Sequence, residues 1–256
     1  MYYYIFESPK SPGERAFFER IQQIAREFGI FGEFVQASPA RSAQELVEIA
    51  VMKNYSTIVA IGGDTHVNKV ASKIINLGMG SNIVLGIIST EEDSFLAERW
   101  WFKKPEEAME TIKFRKLTKF DIGLIEPNHY FLTNASIICK KPSRIVLEVD
   151  RWQAEAVVDR VDVSSNLYIL MERYARESSI VKSTFNWLMG RENIRYDQSL
   201  FKGKVVRITS SDPLPVYVGK EVMTHTPINV YRKLNALNII TKRDKVSDEI
   251  KNEVEE

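Results

Sequence analysis

The spacing of apolar residues changes part-way along the chain, and that change divides it into two kinds of structure. In the first part, short apolar runs alternate with stretches whose apolar residues recur every three or four positions. Tyr2 to Phe6 predicts a strand, closed by the turn-forming segment Ser8-Pro9-Lys10-Ser11-Pro12-Gly13. Phe17, Phe18, Ile21, Ile24, Ala25 and Phe28 fall on one helical face, so a helix is expected over 14–28, stopped by Gly29. Phe31 to Val35 is the next strand. Ser42 and Glu45 then have the spacing of a capping box for a helix that turns Leu46, Ile49 and Ala50 inward. Thr57 to Ile61 is an unbroken apolar, β-branched run, as expected for a strand buried on both faces of a parallel sheet. Val67, Val70, Ala71, Ile74 and Ile75 mark a further helix to Leu77, and Ile83 to Ile88 another buried strand. This alternation predicts an α/β domain over residues 1–116 with a doubly wound parallel sheet.

Beyond it the helical period fades. Strands are expected at 120–125, 130–138, 144–149, 156–163, 167–171, 204–209, 216–218, 228–231 and 236–240, with little helix between them. That pattern predicts an antiparallel β-sandwich domain over 117–241. Residues 172–195 fit neither period and read as a lid or irregular insertion. The charged tail, 242–256, keeps Val246, Ile250 and Val254 four residues apart, which suits either a docked helix or a solvated end.

Composition supports a folded chain and narrows its partners. Two domains suit 256 residues, and 44% hydrophobic with 27% charged residues is ordinary for folded domains. Lys and Arg number 35 against 34 Asp and Glu, so no broad positive field draws the chain to nucleic acid. One cysteine, Cys139, excludes an intrachain disulfide and a cysteine metal cluster, and fits a cytoplasmic location. The apolar N-terminus lacks a basic lead, and no apolar run approaches the roughly 18 residues of a membrane span. Peripheral contact with a bilayer and homo-oligomer formation stay open.

Candidate chemistry centres on Gly62-Gly63-Asp64, where a buried parallel strand passes into a helix. Such turns lie at the carboxyl edge of an open sheet, where ligands bind. Glycines let the backbone approach a phosphate, the helix N-terminus offers N–H donors, and Asp64 could hold a magnesium ion. The same three residues also serve as a plain tight connection.

The wider segment, Gly62-Gly63-Asp64-Thr65-His66-Val67-Asn68-Lys69-Val70, resembles the Gly-Gly-Asp-Gly-Thr loop of lipid kinases of the diacylglycerol and sphingosine type, which share a fold with NAD kinases. That loop continues with an apolar residue, Asn, Glu and Val. Ser8-Pro9-Lys10-Ser11 is similar to the family's opening Asn-Pro-x-Ser-Gly, and Leu85-Gly86-Ile87-Ile88 to the strand before its second glycine loop. Phe120-Asp121-Ile122-Gly123, Tyr130 to Asn134, Phe201 to Lys204, Pro213 to Val218 and Thr226-Pro227 resemble its β-rich half. The resemblance implies phosphoryl transfer from Mg-ATP to a lipid hydroxyl in an interdomain cleft. By position, Pro9, Lys10, Ser11, Gly62, Gly63, Asp64, Thr65 and Asn68 would bind nucleotide, Asp64 would hold Mg2+, and Asp64 and Glu221 would be catalytic, Glu221 as general base.

The departures open two alternatives. Thr65 and His66 replace the third glycine and the threonine, the second glycine loop reads Ser89-Thr90-Glu91-Glu92-Asp93-Ser94-Phe95, and Gly219-Lys220-Glu221 replaces Asp-Gly-Glu. A catalytically inactive module that binds nucleotide, lipid or protein is one alternative, and NAD kinase-like activity the other. Glu91, Glu92 and Asp93 would either repel phosphate, bind a cation, or open an exposed helix with the dipole in their favour. Glu221 is either the surviving base or a hairpin-turn residue. His66, His129 and His225 are too scattered for a zinc site and are expected at the surface or in turns. Cys139 is expected in the core. Trp100-Trp101-Phe102 reads as core packing or a membrane-facing edge, and Lys140, Lys141 and Arg144 as a solvated turn or an anion patch.

Overall fold

The computed structural model describes residues 1–92, 94–175 and 195–242, which divide into two compact units. The first contains Met1–Ile122 and the described chain from Lys233 onward; the second is Gly123–Arg232.

The first unit runs β1 (Tyr2–Phe6), α1 (Pro12–Glu27), β2 (Gly32–Gln36), α2 (Ala43–Met52), β3 (Thr57–Gly62), α3 (Asp64–Asn76), β4 (Val84–Ser89), α4 (Ala97–Trp100) and α5 (Pro105–Phe114). Its strands lie in the order β4-β3-β1-β2, all parallel. Every residue of β3 and β4 is buried, which is why these runs carry no polar alternation. The chain leaves β1 for β2 on one side and returns to β3 on the other, so the order reverses between β1 and β3. A crevice for ligands forms at such a reversal, on the carboxyl edge. The register sets what lines that edge: Phe6 stands opposite Ile61, and Ile61 opposite Ile88. Glu7, Gly62 and Ser89 therefore follow side by side.

Local chemistry fixes the helix starts. Ser11 caps α1 by accepting from the Glu14 N–H at 3.1 Å, with Pro12 at its first turn. Ser42 and Glu45 form the expected capping box on α2. Trp100 and Phe102 are buried; the Trp100 ring packs against Phe120, and its Nε1–H donates to the Ile240 carbonyl at 2.9 Å. Of the two readings of this aromatic cluster, core packing is the one observed.

The chain crosses to the second unit within β5 (Lys116–Ile125). It continues through β6 (His129–Phe131), β7 (Asn134–Val149), β8 (Trp152–Ser164), β9 (Tyr168–Ala175), β10 (Arg195–Lys202), β11 (Val205–Ser210), β12 (Pro215–Val218), β13 (Glu221–His225) and β14 (Ile228–Thr241). Apart from the C-terminal part of β14, these strands pair antiparallel, as expected for this part of the chain. β7 pairs with β8 along its length, with β12 near its start and with β11 near its end. Serving three partners, it wraps the layer around a core that includes Phe131, Ile137, Leu147, Val161, Ile208 and Val230.

Three expectations need correction. Residues 140–144 are not a turn: β7 runs through them, a register shift between Ile138 and Ser143 sets 139–142 against the single residue 159 of β8, and the Arg144 guanidinium forms an ion pair with Glu155. Residues 172–175 continue β9 rather than opening a lid; the remainder of that segment, 176–194, and the tail from 243 lie outside the described residues. Finally, the C-terminal end of β14 adds to the first unit's sheet in parallel, with Asn238 opposite Val84. It passes so close to Gly80 that a Cβ there would stand 2.1 Å from the Ala236 carbonyl oxygen. No described helix is long and apolar enough to cross a membrane.

Because both arms of the capping box are made, Ser42→Ala leaves one N-terminal donor of α2 unsatisfied. The expected loss is about 1 kcal/mol in urea unfolding, with the fold retained; an unchanged unfolding midpoint would contradict the assignment.

Candidate functional site

Gly63 is the N-cap of α3 and has no side chain with which to cap it. The glycine turn instead meets two carboxylates of the chain itself. The Gly63 N–H donates to Glu7 Oε2 at 2.8 Å. Glu7 is set there by β1, whose last bond to β3 runs from the Glu7 N–H to the Ile61 carbonyl at 2.8 Å. Glu91 arrives from the end of β4, where the Ser89 hydroxyl donates to the Glu91 carbonyl at 3.2 Å. A Cβ on Gly62 would lie 2.7 Å from the Glu7 side chain, and one on Gly63 2.6 Å from the Glu91 carboxyl carbon. Position 62 therefore requires glycine, since its φ is 159° and the Glu7 Cβ crowds it, whereas at 63 only the movable end of Glu91 stands in the way.

Lys10 joins the two acids. Its ammonium lies 3.2 Å from Glu7 Oε1 and 3.3 Å from Glu91 Oε1. Burial alone would lower its pKa, but the two carboxylates outweigh burial and raise it. Neither acid was among the residues expected to line the site as binding groups. Glu7 was missed entirely, although its position as the residue after β1 was the signal that could have found it: a parallel register puts that residue beside the glycine turn.

Asp64 is also engaged. Its Oδ2 accepts the Phe95 N–H at 3.0 Å, its Oδ1 the Leu96 N–H at 3.4 Å, and the Ser94 hydroxyl adds a third bond. Burial raises its pKa; these three donors pull it back, and the nearby Glu91 charge adds to the rise. The donors are the backbone just ahead of α4, so Asp64 holds the 94–96 turn in the manner of a cap supplied from another helix. The acidic segment does not open a helix: Glu91 and Glu92 precede α4, which begins at Ala97, and Asp93 lies outside the described residues.

The other expected binding residues are brought to the same edge with local tasks. Asn68 is buried and its Nδ2 donates to the Asp64 carbonyl at 2.9 Å, bracing the first turn of α3. Thr65 lies in that turn. Ser11 caps α1, and Pro9, Lys10 and Ser11 line a cavity of about 420 Å³. A neighbouring cavity of about 500 Å³ is lined by Phe6, Ser8, Pro9, Arg15 and Phe34 among others. Gly62, Gly63 and Asp64 line neither, so these hollows flank the glycine turn without including it.

Glu221 belongs to the second unit, where it is exposed and starts β13. Val218 pairs with Glu221 across a two-residue turn whose Gly219 has φ 61°. Gly219-Lys220 is thus hairpin chemistry, as one of the two readings held. Cys139 is buried, as expected, and burial raises its thiol pKa. Among the described residues no three His, Cys, Asp or Glu side chains gather to hold a metal ion.

His66 departs from expectation. It is 4% exposed rather than at the surface, and its Nε2–H donates to the Ile5 carbonyl at 3.0 Å. Position 66 lies in the first turn of α3, buried against the sheet, and its ring reaches the β1 backbone at Ile5.

Two outcomes follow from this geometry. Asp64→Ala should speed amide hydrogen exchange at Phe95 and Leu96 at least about tenfold while leaving Ile61 unchanged; protection retained at both would contradict the cap. Burial also holds the His66 pKa below its ordinary 6.5, so the unfolded chain takes up the proton first as the pH falls. The stability this residue contributes is complete above 6.5 and is lost as the pH falls through the folded value. Wild type should weaken in mild acid more steeply than His66→Gln in urea unfolding; parallel slopes would contradict a neutral buried ring.

Comparison with known proteins agrees with this architecture. Residues 4–125 match the diacylglycerol kinase catalytic domain. No curated protein matches the sequence. Among solved structures, a diacylglycerol kinase from Bacillus anthracis str. Sterne shares the fold at a TM-score of 0.71 and 14% identity, over 94% of this chain and 96% of that one. A yeast NADH kinase complexed with NADH is similar at a TM-score of 0.52 and 11% identity, over 99% of this chain and 87% of that one. Identities this low establish a shared fold and leave function to the site. Residues 4–125 thus match that catalytic domain, and along nearly its whole length the chain shares the fold of these kinases.

Proposed function

We propose that this chain is a nucleotide-binding member of the diacylglycerol kinase/NAD kinase-like family that seats phosphate on the Gly62-Gly63 turn. The activity in keeping with that reading is diacylglycerol kinase-like transfer from Mg-ATP to a lipid hydroxyl. One observation carries the binding: the Gly63 N–H already holds an anion, the Glu7 carboxylate, at 2.8 Å beside the Lys10 ammonium. A carboxylate there stands in for a phosphate oxygen, because both are anionic acceptors suited to a helix N-terminus and a nearby cation. In this reading the backbone of Gly62 and Gly63 and the Lys10 side chain would receive the nucleotide phosphates. Pro9, Ser11, Thr65 and Asn68 shape the surrounding turns, and Glu221 would take the proton from the acceptor hydroxyl.

The residues do not fit a magnesium triphosphate as they stand. Glu7 and Glu91 occupy the approach to Gly63, and both Asp64 oxygens already accept backbone N–H groups. That engagement of Asp64 favours a second reading, a binding module without catalysis, in which bound ATP would never be turned over. A cytoplasmic setting suits both.

Calorimetry with ATP, ADP and GTP, with and without Mg2+, separates binding from its absence; heat with at least one nucleotide, weakened by Lys10→Ala, is the expected result. No heat with any of the three would remove the nucleotide part. Transfer of labelled phosphate to a panel of lipid alcohols, abolished in Glu221→Gln, is expected for the kinase. Binding without transfer would select the second reading.

A further inference from the structure

We infer that the phosphate seat is latched shut by the chain's own carboxylates, so that a nucleotide phosphate enters only by displacing Glu7 and Glu91 from Gly63 and taking over Lys10. This rests on the anion-seat reading of the glycine turn. Three contacts form the latch: the Gly63 N–H on Glu7 Oε2 at 2.8 Å, and Lys10 Nζ at 3.2 Å from Glu7 and 3.3 Å from Glu91. The Glu91 carboxylate fills the remaining approach, lying 2.6 to 2.7 Å from where a Cβ on Gly63 would be. Glu7 and Glu91 thus occupy the donor, the cation and the space that an incoming phosphate oxygen requires.

Charge makes the latch selective against phosphate while it is closed. Two carboxylates, Glu7 and Glu91, share one ammonium at the turn, so a polyanion approaching the closed form meets net negative charge. Opening needs no change in the backbone. The Glu7 and Glu91 side chains are 24% and 27% exposed, and Lys10 is 50% exposed, so rotation about side-chain bonds carries each acid into water and leaves Lys10 for the ligand. The closed population lowers the apparent affinity in proportion to the fraction of molecules that are open. Glu7 and Glu91 come from the ends of β1 and β4, on either side of the glycine turn, so the latch reaches over it from both flanks.

The test compares wild type with Glu7→Gln/Glu91→Gln, which removes charge and keeps shape, and with Glu7→Ala/Glu91→Ala, which also opens the space. Each is titrated with Mg-ATP and separately with sodium tripolyphosphate, following heat together with the Gly63 amide signal by NMR. The latch predicts at least about tenfold tighter binding of an anion in the alanine pair than in wild type, an intermediate gain in the glutamine pair, and a ligand-dependent shift at Gly63. Tripolyphosphate gaining affinity at Gly63 while Mg-ATP binds nowhere would keep the latch and discard the nucleotide reading. Equal Mg-ATP affinity in all three proteins would keep nucleotide binding and overturn the latch. Failure of both anions to move the Gly63 amide in the alanine pair would overturn it as well.

Discussion

A single hydrogen bond, from the Gly63 N–H to the Glu7 carboxylate, defines what the first unit can do. It exists because a parallel register carries β1 and β3 to the same edge, so that the residue after Phe6 meets the residues after Ile61. Glycine is needed at 62 because the Glu7 Cβ and a positive φ leave no room for a side chain. A helix N-terminus without a capping side chain then supplies the donor. Sheet register, glycine and helix start are each ordinary; their coincidence at one point creates an anion seat, and the chain's own acids make it a self-filled one.

Much of the frame was legible in the residues. The period change near residue 116 separated parallel from antiparallel strands, since burial on both faces and burial on one face write different patterns. Ser42 and Glu45 announced a cap because its donors and acceptors lie within one turn of chain. What escaped were contacts between segments distant in sequence. Glu7 lies 56 residues from Gly63, and Asp64 31 residues from Phe95, and no local spacing encodes either pairing. The β7 register shift escaped for a related reason: Lys140, Lys141 and Pro142 have turn composition, yet pairing with β8 on both sides carries the strand through them. The return of β14 to the first sheet was hidden because an apolar run does not state which neighbour it will join.

The same logic explains why the altered loop residues carry more meaning than the retained ones. Gly62, Gly63 and Asp64 resemble the glycine-loop pattern, but the groups around them are engaged within the chain: Asp64 secures the turn before α4, His66 is sunk beneath β1, and Glu91 stands over Gly63. Each of these groups has a structural partner within the chain. The shared fold therefore sets the frame, while in the proposed reading competition between internal carboxylates and an external phosphate decides whether the frame is used.

The most direct measurement of that competition is a crystal structure grown with tripolyphosphate. The account predicts a phosphate oxygen on the Gly63 N–H, Lys10 turned to it, and Glu7 and Glu91 swung into solvent. Glu7 still bonded to Gly63, with the phosphate bound elsewhere or not at all, would contradict it.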